Sequence, residues 1–214
     1  MKLFIIRHGE SVGNVKGIIQ GQLDLPLSER GIDEAKKLAE YLKGEKIHKI
    51  YSSDISRALE TANYIAQEQN LNVIVDPIFR EAQLGRFQGL THDEINQEYP
   101  DHAKTDWMTS GLHDVEQINQ VYERALKSLN FILNDMRPHE QVILVSHGGY
   151  ISSILAALLK IKWTGKKPFT IRNTSISIID FSDPMQFVIE VINEIPHLSK
   201  DMRIQQSKVI DVHK

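Results

Sequence analysis

The chain has 214 residues, 41% hydrophobic and 25% charged, with 25 Lys and Arg against 28 Asp and Glu. That is the balance of one soluble globular domain, with no overall basic footprint for nucleic acid or an anionic membrane. The absence of cysteine excludes disulfides, thiolate metal sites and a cysteine nucleophile. Among the nine histidines no His-x-x-x-His or His-Glu-x-x-His spacing occurs, so no zinc site is expected. The opening apolar run is too short for a signal peptide, and no apolar stretch approaches the ~20 residues of a membrane span. A cytoplasmic protein is expected.

Leu3-Phe4-Ile5-Ile6 is apolar without alternation, as in a strand buried on both faces. Ser28 caps an expected helix running to about Lys43, with Ile32, Ala35, Leu38, Ala39 and Leu42 on its inner face. Lys49 to Ser52 forms a second strand. Ser53 or Asp54 is then expected to cap a helix carrying Ile55, Ala58, Leu59, Ala62, Ile65 and Ala66. Val73 to Val75 is a third strand, ended by Asp76-Pro77. Residues 80–114 are irregular, with one short helix around Asp93 to Glu98.

A long helix next turns Val115, Ile118, Val121, Tyr122, Ala125, Leu129, Ile132 and Leu133 inward. Gln141 to Val145 is a buried strand and Gly149 to Leu159 a helix. Ile176 to Phe181 and Met185 to Ile192 are strands joined by the turn Ser182-Asp183-Pro184. Residues 199–214 form a polar, loosely held tail, leaving 1–198 as a single domain. Strands alternating with helices imply a three-layer α/β/α sandwich on a mainly parallel mixed sheet with an antiparallel edge.

Ligands of open α/β sheets bind outside the carboxyl ends of the strands. Arg7-His8-Gly9 leaves the first strand there, Ser52-Ser53-Asp54 with Arg57 follows the second, and Ser146-His147-Gly148-Gly149 leaves the strand at 141–145. Two arginines and two histidines converging on one sheet edge suit a dianionic oxyanion such as phosphate, helped by N–H groups at a helix start. Taken singly, each piece also fits a surface turn, a solvated charge or strand-to-helix punctuation.

These residues carry a resemblance. Arg7-His8-Gly9-Glu10-Ser11, Asn14, Gln20-Gly21 and Asp24-x-Pro26-Leu27-Ser28-x-x-Gly31 resemble the opening signature of the histidine phosphatase superfamily, the phosphoglycerate-mutase-like proteins. Ser52-Ser53-Asp54-x-x-Arg57-Ala58-x-x-Thr61-Ala62, Arg80-Glu81-x-x-x-Gly85-x-x-x-Gly89 and Val145-Ser146-His147-Gly148-Gly149 resemble its later blocks in order. Asn173-Thr174-Ser175 and Asn193-x-x-x-His197-Leu198 resemble its closing segments.

The resemblance implies a phosphoglycerate-mutase-like fold, with 80–114 over the active site. It makes His8 a nucleophile that becomes phosphorylated, Arg7, Arg57 and His147 stabilisers of the transferring group, and Glu81 the general acid. Asn14, Gln20, Gly21 and the Gly148 N–H are further substrate-binding candidates. No metal or other cofactor is implied. The partner is a small phosphorylated metabolite, with no nucleic acid or membrane, and a homo-oligomer stays open. His48, His92, His102, His113, His139 and His213 are expected at the surface, and His197 as a structural hydrogen-bonder. Leu84, Phe87 and Met108 are expected to shape the leaving-group pocket.

Rival readings use the same residues. Gly9-Glu10-Ser11-Val12-Gly13 matches the serine-hydrolase elbow, but Asn14 to Gln22 has no helical face to follow it. A non-catalytic binding module would have lost some of Arg7, His8, Arg57, Glu81 and His147, and all are present. The closer rival is phosphoglycerate mutase, which adds cations for a carboxylate. Between Leu90 and Arg137 there are nine acidic residues against four basic, which favours a phosphatase. The chain departs from the family at Val115-Glu116-Gln117, where Gly-Glu-Ser is common.

Overall fold

The computed structural model describes residues 1–101, 104–183 and 186–211. Six strands form one sheet: β1 (Lys2–Arg7), β2 (Lys49–Ser52), β3 (Val73–Val75), β4 (Gln141–Ser146), β5 (Ile176–Asp183) and β6 (Gln186–Glu194). Their order is β3-β2-β4-β1-β5-β6. Pairings among the first four are parallel, while β1/β5 and β5/β6 are antiparallel. The expected antiparallel edge is therefore present; Pro184 and Met185 of the expected turn lie outside the described residues.

The apolar run of β1 divides between the two faces because side chains alternate across a strand. Leu3 and Ile5 join one core with the helices α6 (Ile118–Asp135) and α7 (Gly148–Leu158). Phe4 and Ile6 join the other with α2 (Glu29–Leu42) and α3 (Ser56–Gln69). The result is the expected three-layer sandwich. Among the described residues no helix is long and apolar enough to cross a membrane.

Several local expectations change. Neither Ser53 nor Asp54 is the N-cap of α3; Ile55 holds that position, and Asp24 receives the Ser56 N–H at 2.8 Å and its hydroxyl at 3.0 Å. Asp54 instead pairs with Arg80. Val115 precedes α6 rather than lying in it, and its side chain joins Phe87 and Ile95 in a separate small core. That core supports the cover over the sheet edge, residues 80–114, which contains α4 (His92–Glu98) and α5 (Trp107–Ser110). Phe87 is fully buried there; Leu84 and Met108 pack partly buried against both this core and the main one.

The polar tail is also ordered. Residues Lys200–Asp211 form a helix, α8, and Gln206 is buried, donating through Nε2 to Glu34 Oε1 at 2.8 Å. A buried amide–carboxylate contact compensates for the weak apolar face.

The turn after β1 packs tightly on the start of α2. A Cβ on Gly9 would lie 2.6 Å from the Gly31 carbonyl oxygen, and one on Gly31 would overlap the Glu10 carbonyl oxygen. Gly31→Ala should therefore destabilise the protein by ~1–3 kcal/mol through overpacking. Gly44→Ala, facing open space, should stay within ~0.5 kcal/mol. Urea unfolding decides; equal midpoints would show that the turn yields freely.

Candidate active site

Parallel register brings three loops to one level. Arg7 lies opposite Ser146, and Ser52 opposite Val145, so the residues after β1, β2 and β4 emerge side by side. Because β5 runs antiparallel to β1, its beginning joins them. Asn173 Nδ2 and Thr174 N both donate to the His8 carbonyl, at 3.0 and 3.3 Å.

His8 is 3% exposed. Its Nδ1 lies 2.6 Å from the Gly9 carbonyl, which can only accept, so Nδ1 carries the proton. Nε2 then holds a lone pair, and Arg57 Nε donates to it at 3.2 Å. Burial first, then the charges of Arg57 and Arg7 and the neighbouring His147, hold its pKa well below the usual histidine range; the Gly9 contact opposes them. The imidazole is neutral at pH 7.

Arg57 is 1% exposed, and its remaining nitrogens meet carbonyls: Nη1 that of Leu23 at 2.7 Å, Nη2 that of Gly21 at 2.8 Å. Burial pulls its pKa down to about 10, with Glu81 pulling the other way and Arg7 adding to the drop. Gly21 thus acts on Arg57 through its carbonyl, from a left-handed backbone (φ +50°) against which the Gln88 side chain packs. Arg7 donates through Nη1 to the Ile171 carbonyl at 2.5 Å, while its buried Nε has no protein partner. A Cβ on Gly148 would lie 3.2 Å from that Nε, so glycine lets Arg7 rest against the first turn of α7.

His147 is fully buried, its ring centroid 5.2 Å from that of His8. Its Nε2 lies 2.9 Å from Ser53 Oγ, and its buried Nδ1 has no protein partner. Burial, with Arg57, Arg7 and Arg124, keeps this imidazole neutral too. Glu81 meets the same helix start: Oε2 accepts from Gly149 N at 2.8 Å, and Oε1 from Ala82 N at 2.9 Å.

The structure thus brings Arg7, His8, Arg57, Glu81, His147 and Gly148 together. Asn14 and Gln20 lie in the adjoining turn, held there through their amide oxygens. Asn14 Oδ1 accepts from Ser11 N at 3.0 Å and from Asn173 Nδ2 at 3.4 Å, and Gln20 Oε1 accepts from the Ser11 hydroxyl at 2.7 Å. A short helix, α1 (Val12–Lys16), does follow Ser11, contrary to expectation, but it stops at Gly17. Ser11 is its N-cap, fully buried and hydrogen-bonded within the turn, so it is no exposed nucleophile.

Two further residues act on the site: Ser53, expected as a helix cap, and Thr61, expected only as part of a sequence block. Ser53 orients His147. Thr61 Oγ1 accepts from Gly9 N at 3.1 Å and donates to the Arg57 carbonyl at 2.8 Å, linking the two. Of the expected surface histidines, His92 and His139 are exposed, His48 and His113 are half-buried, and His102 and His213 lie outside the described residues. His197 is the structural contact expected, 2.9 Å from Thr174 Oγ1.

These buried groups make stability depend on pH. His8 and His147 titrate well below ~6.5 when folded, and burial lowers His197 to about 4. Below ~6.5 the unfolded chain therefore binds protons that the folded chain does not, so stability falls as pH falls. The urea midpoint should drop between pH 7.5 and 5, less steeply in His8→Asn. Inorganic phosphate, binding only the folded state, should add ~2.7 kcal/mol at a hundred times its Kd. A flat profile, or no effect of phosphate, would contradict this account.

Comparison with known proteins agrees with the geometry. Residues 3–195 match the pattern of the histidine phosphatase superfamily (branch 1). Phosphoglycerate mutase-like protein 4 of Arabidopsis thaliana is 33% identical over 207 residues, covering 93% of this chain and 87% of the relative. Among solved structures, mycobacterial glucosyl-3-phosphoglycerate phosphatase is 32% identical, with a TM-score of 0.80 over 90% of this chain and 98% of that one. Phosphoserine phosphatase from Entamoeba histolytica is 29% identical, with a TM-score of 0.78 over 92% and 99%. The chain belongs to the histidine phosphatase superfamily, branch 1, and is an enzyme of that family.

Proposed function

We propose that this enzyme hydrolyses phosphate monoesters of small metabolites through a phosphohistidine on His8, without a metal. The observation that carries the reading is the fixed tautomer of His8: Nδ1–H held by Gly9 and a lone pair on Nε2. The phosphoryl group displaces the Arg57 Nε donor from that lone pair. An N–P bond forms, the ester P–O bond breaks, and the leaving oxygen takes a proton from Glu81. Glu81, now a carboxylate, accepts a proton from water as water attacks phosphorus; phosphate leaves and His8 is restored. Arg7 Nε, the remaining N–H groups of Arg57 and His147 Nδ1 stabilise the equatorial oxygens. In this reading the guanidinium groups of buried Arg57 and half-buried Arg7 supply the charge a metal would bring. The substrate is then the enzyme's partner, and neither nucleic acid nor membrane takes part.

The names of the similar proteins include both mutase and phosphatase. Charge pairing in the cover and on the neighbouring α6 favours water as the acceptor. Arg80 pairs with Asp54, Arg86 with Asp114, Lys104 with Asp101 and Arg124 with Glu116. A mutase must hold a carboxylate and two phosphates, and these cations are already engaged.

Two experiments test the reading. Rapid quench with a phosphorylated substrate should trap acid-labile, base-stable phosphate on the protein, and His8→Ala should lose it; undiminished labelling would remove His8 from its role. With 3-phosphoglycerate and catalytic 2,3-bisphosphoglycerate, phosphate release should exceed formation of 2-phosphoglycerate. The reverse, by orders of magnitude, would make the enzyme a mutase.

A further inference from the structure

Arg124 stands outside the phosphate site, on α6, yet it holds the backbone that carries Glu81. A guanidinium has five N–H donors, and here all five have acceptors. Nε donates to Glu116 Oε1 at 3.0 Å. Nη1 donates to the carbonyls of Ile78 at 3.0 Å and Arg80 at 2.7 Å. Nη2 donates to Glu116 Oε2 at 2.9 Å and to the Glu81 carbonyl at 3.4 Å. Its cationic face lies 4.3 Å from the centre of the Tyr150 ring, and that buried tyrosine is fixed through its hydroxyl to Ser128. Glu116 extends the brace: its Oε2 accepts from Gln83 N at 3.0 Å, and its own N–H donates to the Gln83 carbonyl at 2.8 Å.

We infer that Arg124, braced by Glu116, is the positioning residue that sets the reach of Glu81 into the site. Residues 80–82 belong to neither a helix nor a strand, and backbone pairing begins only at Gln83, with Glu116. Without Arg124, the Glu81 carbonyl would keep, among the described residues, only Gln22 Nε2, at 3.0 Å. With every donor engaged, Arg124 has none to offer a phosphate oxygen; its contacts act through the backbone of Glu81, and its charge, which lysine keeps, also bears on His147. Lysine could not replace it: a point charge with three donors cannot span three carbonyls and a carboxylate.

This rests on reading Glu81 as the proton donor, and the test separates the two claims. kcat/KM is measured for an alkyl and an aryl phosphate, with inhibition by inorganic phosphate, in the wild type, Glu81→Gln, Arg124→Lys, Arg124→Met and Glu81→Gln/Arg124→Met. Loss of a general acid costs ~10²–10⁴-fold, most where the leaving group needs its proton. Arg124→Lys should lose ~10²-fold on the alkyl ester and under ~5-fold on the aryl ester, with the phosphate inhibition constant unchanged within ~3-fold. Adding Arg124→Met to Glu81→Gln should cost under ~3-fold more. Equal losses on both esters, weakened phosphate inhibition, or full additivity would overturn the inference. Should Arg124→Met fail to fold, Glu116→Gln combined with Glu81→Gln replaces it in the additivity comparison. An absence of alkyl–aryl contrast in Glu81→Gln itself would overturn the acid role, and the inference with it.

Discussion

A guanidinium can donate to an imidazole nitrogen only when that nitrogen is unprotonated and the ring's proton sits on the other one. The Arg57–His8 contact therefore requires an acceptor at Nδ1, which Gly9 supplies, and enough burial to resist a second proton. Burial encloses Arg57 fully and Arg7 in part. Among the described residues no carboxylate is bonded to either; the carbonyls of Gly21, Leu23 and Ile171 receive them. A carbonyl satisfies an N–H without cancelling its charge. The pocket consequently retains the positive charge of two guanidinium groups, which a phosphate dianion matches and a neutral ligand does not. The turn at 20–24 follows from the same requirement, since it must present two carbonyls to one side chain.

How legible each part was in the sequence depended on whether its cause was periodic. β1 and β4 were readable because burial on both faces leaves an unbroken apolar run. Helix faces were readable from their 3.6-residue spacing. Helix α8 was not, because the contacts that tie it are polar: the Gln206 amide meets Glu34 and the Asn173 carbonyl, and Arg30 donates to the Met202 carbonyl. The start of α3 was misassigned because Asp24, 32 positions before Ser56, supplies the acceptors that a local cap would have provided. That leaves Ser53 and Asp54 for His147 and Arg80.

The site divides in the same way. Arg7, His8, Arg57 and His147 could be placed from topology, since loops after parallel strands share one edge. Glu81 could be placed only through the family resemblance, because an irregular segment carries no register. Arg124 did leave a signal. It lies three residues after Val121 and four before Ser128, both buried, so it is a charge on the inward stripe of α6. A charge in that position needs several acceptors, and an irregular neighbouring loop has carbonyls to offer.

The arginines and histidines proposed to hold phosphate are anchored to the central strands. Glu81, the proposed acid, sits where the main core, through Phe79 and Ala82, gives way to a cover with its own small core around Phe87, Ile95 and Val115. A carboxyl group at such a junction needs a rigid support if it is to meet a leaving oxygen at hydrogen-bonding distance. Helix α6 provides one. Ala125 and Leu129 fix it to the sheet, and Arg124, between them and the cover, fastens the backbone at 78–81 to that frame. The distal cover can then vary without moving the acid. This is consistent with the similar architectures of phosphatases named for glucosyl-3-phosphoglycerate and for phosphoserine, esters whose leaving groups differ greatly in size.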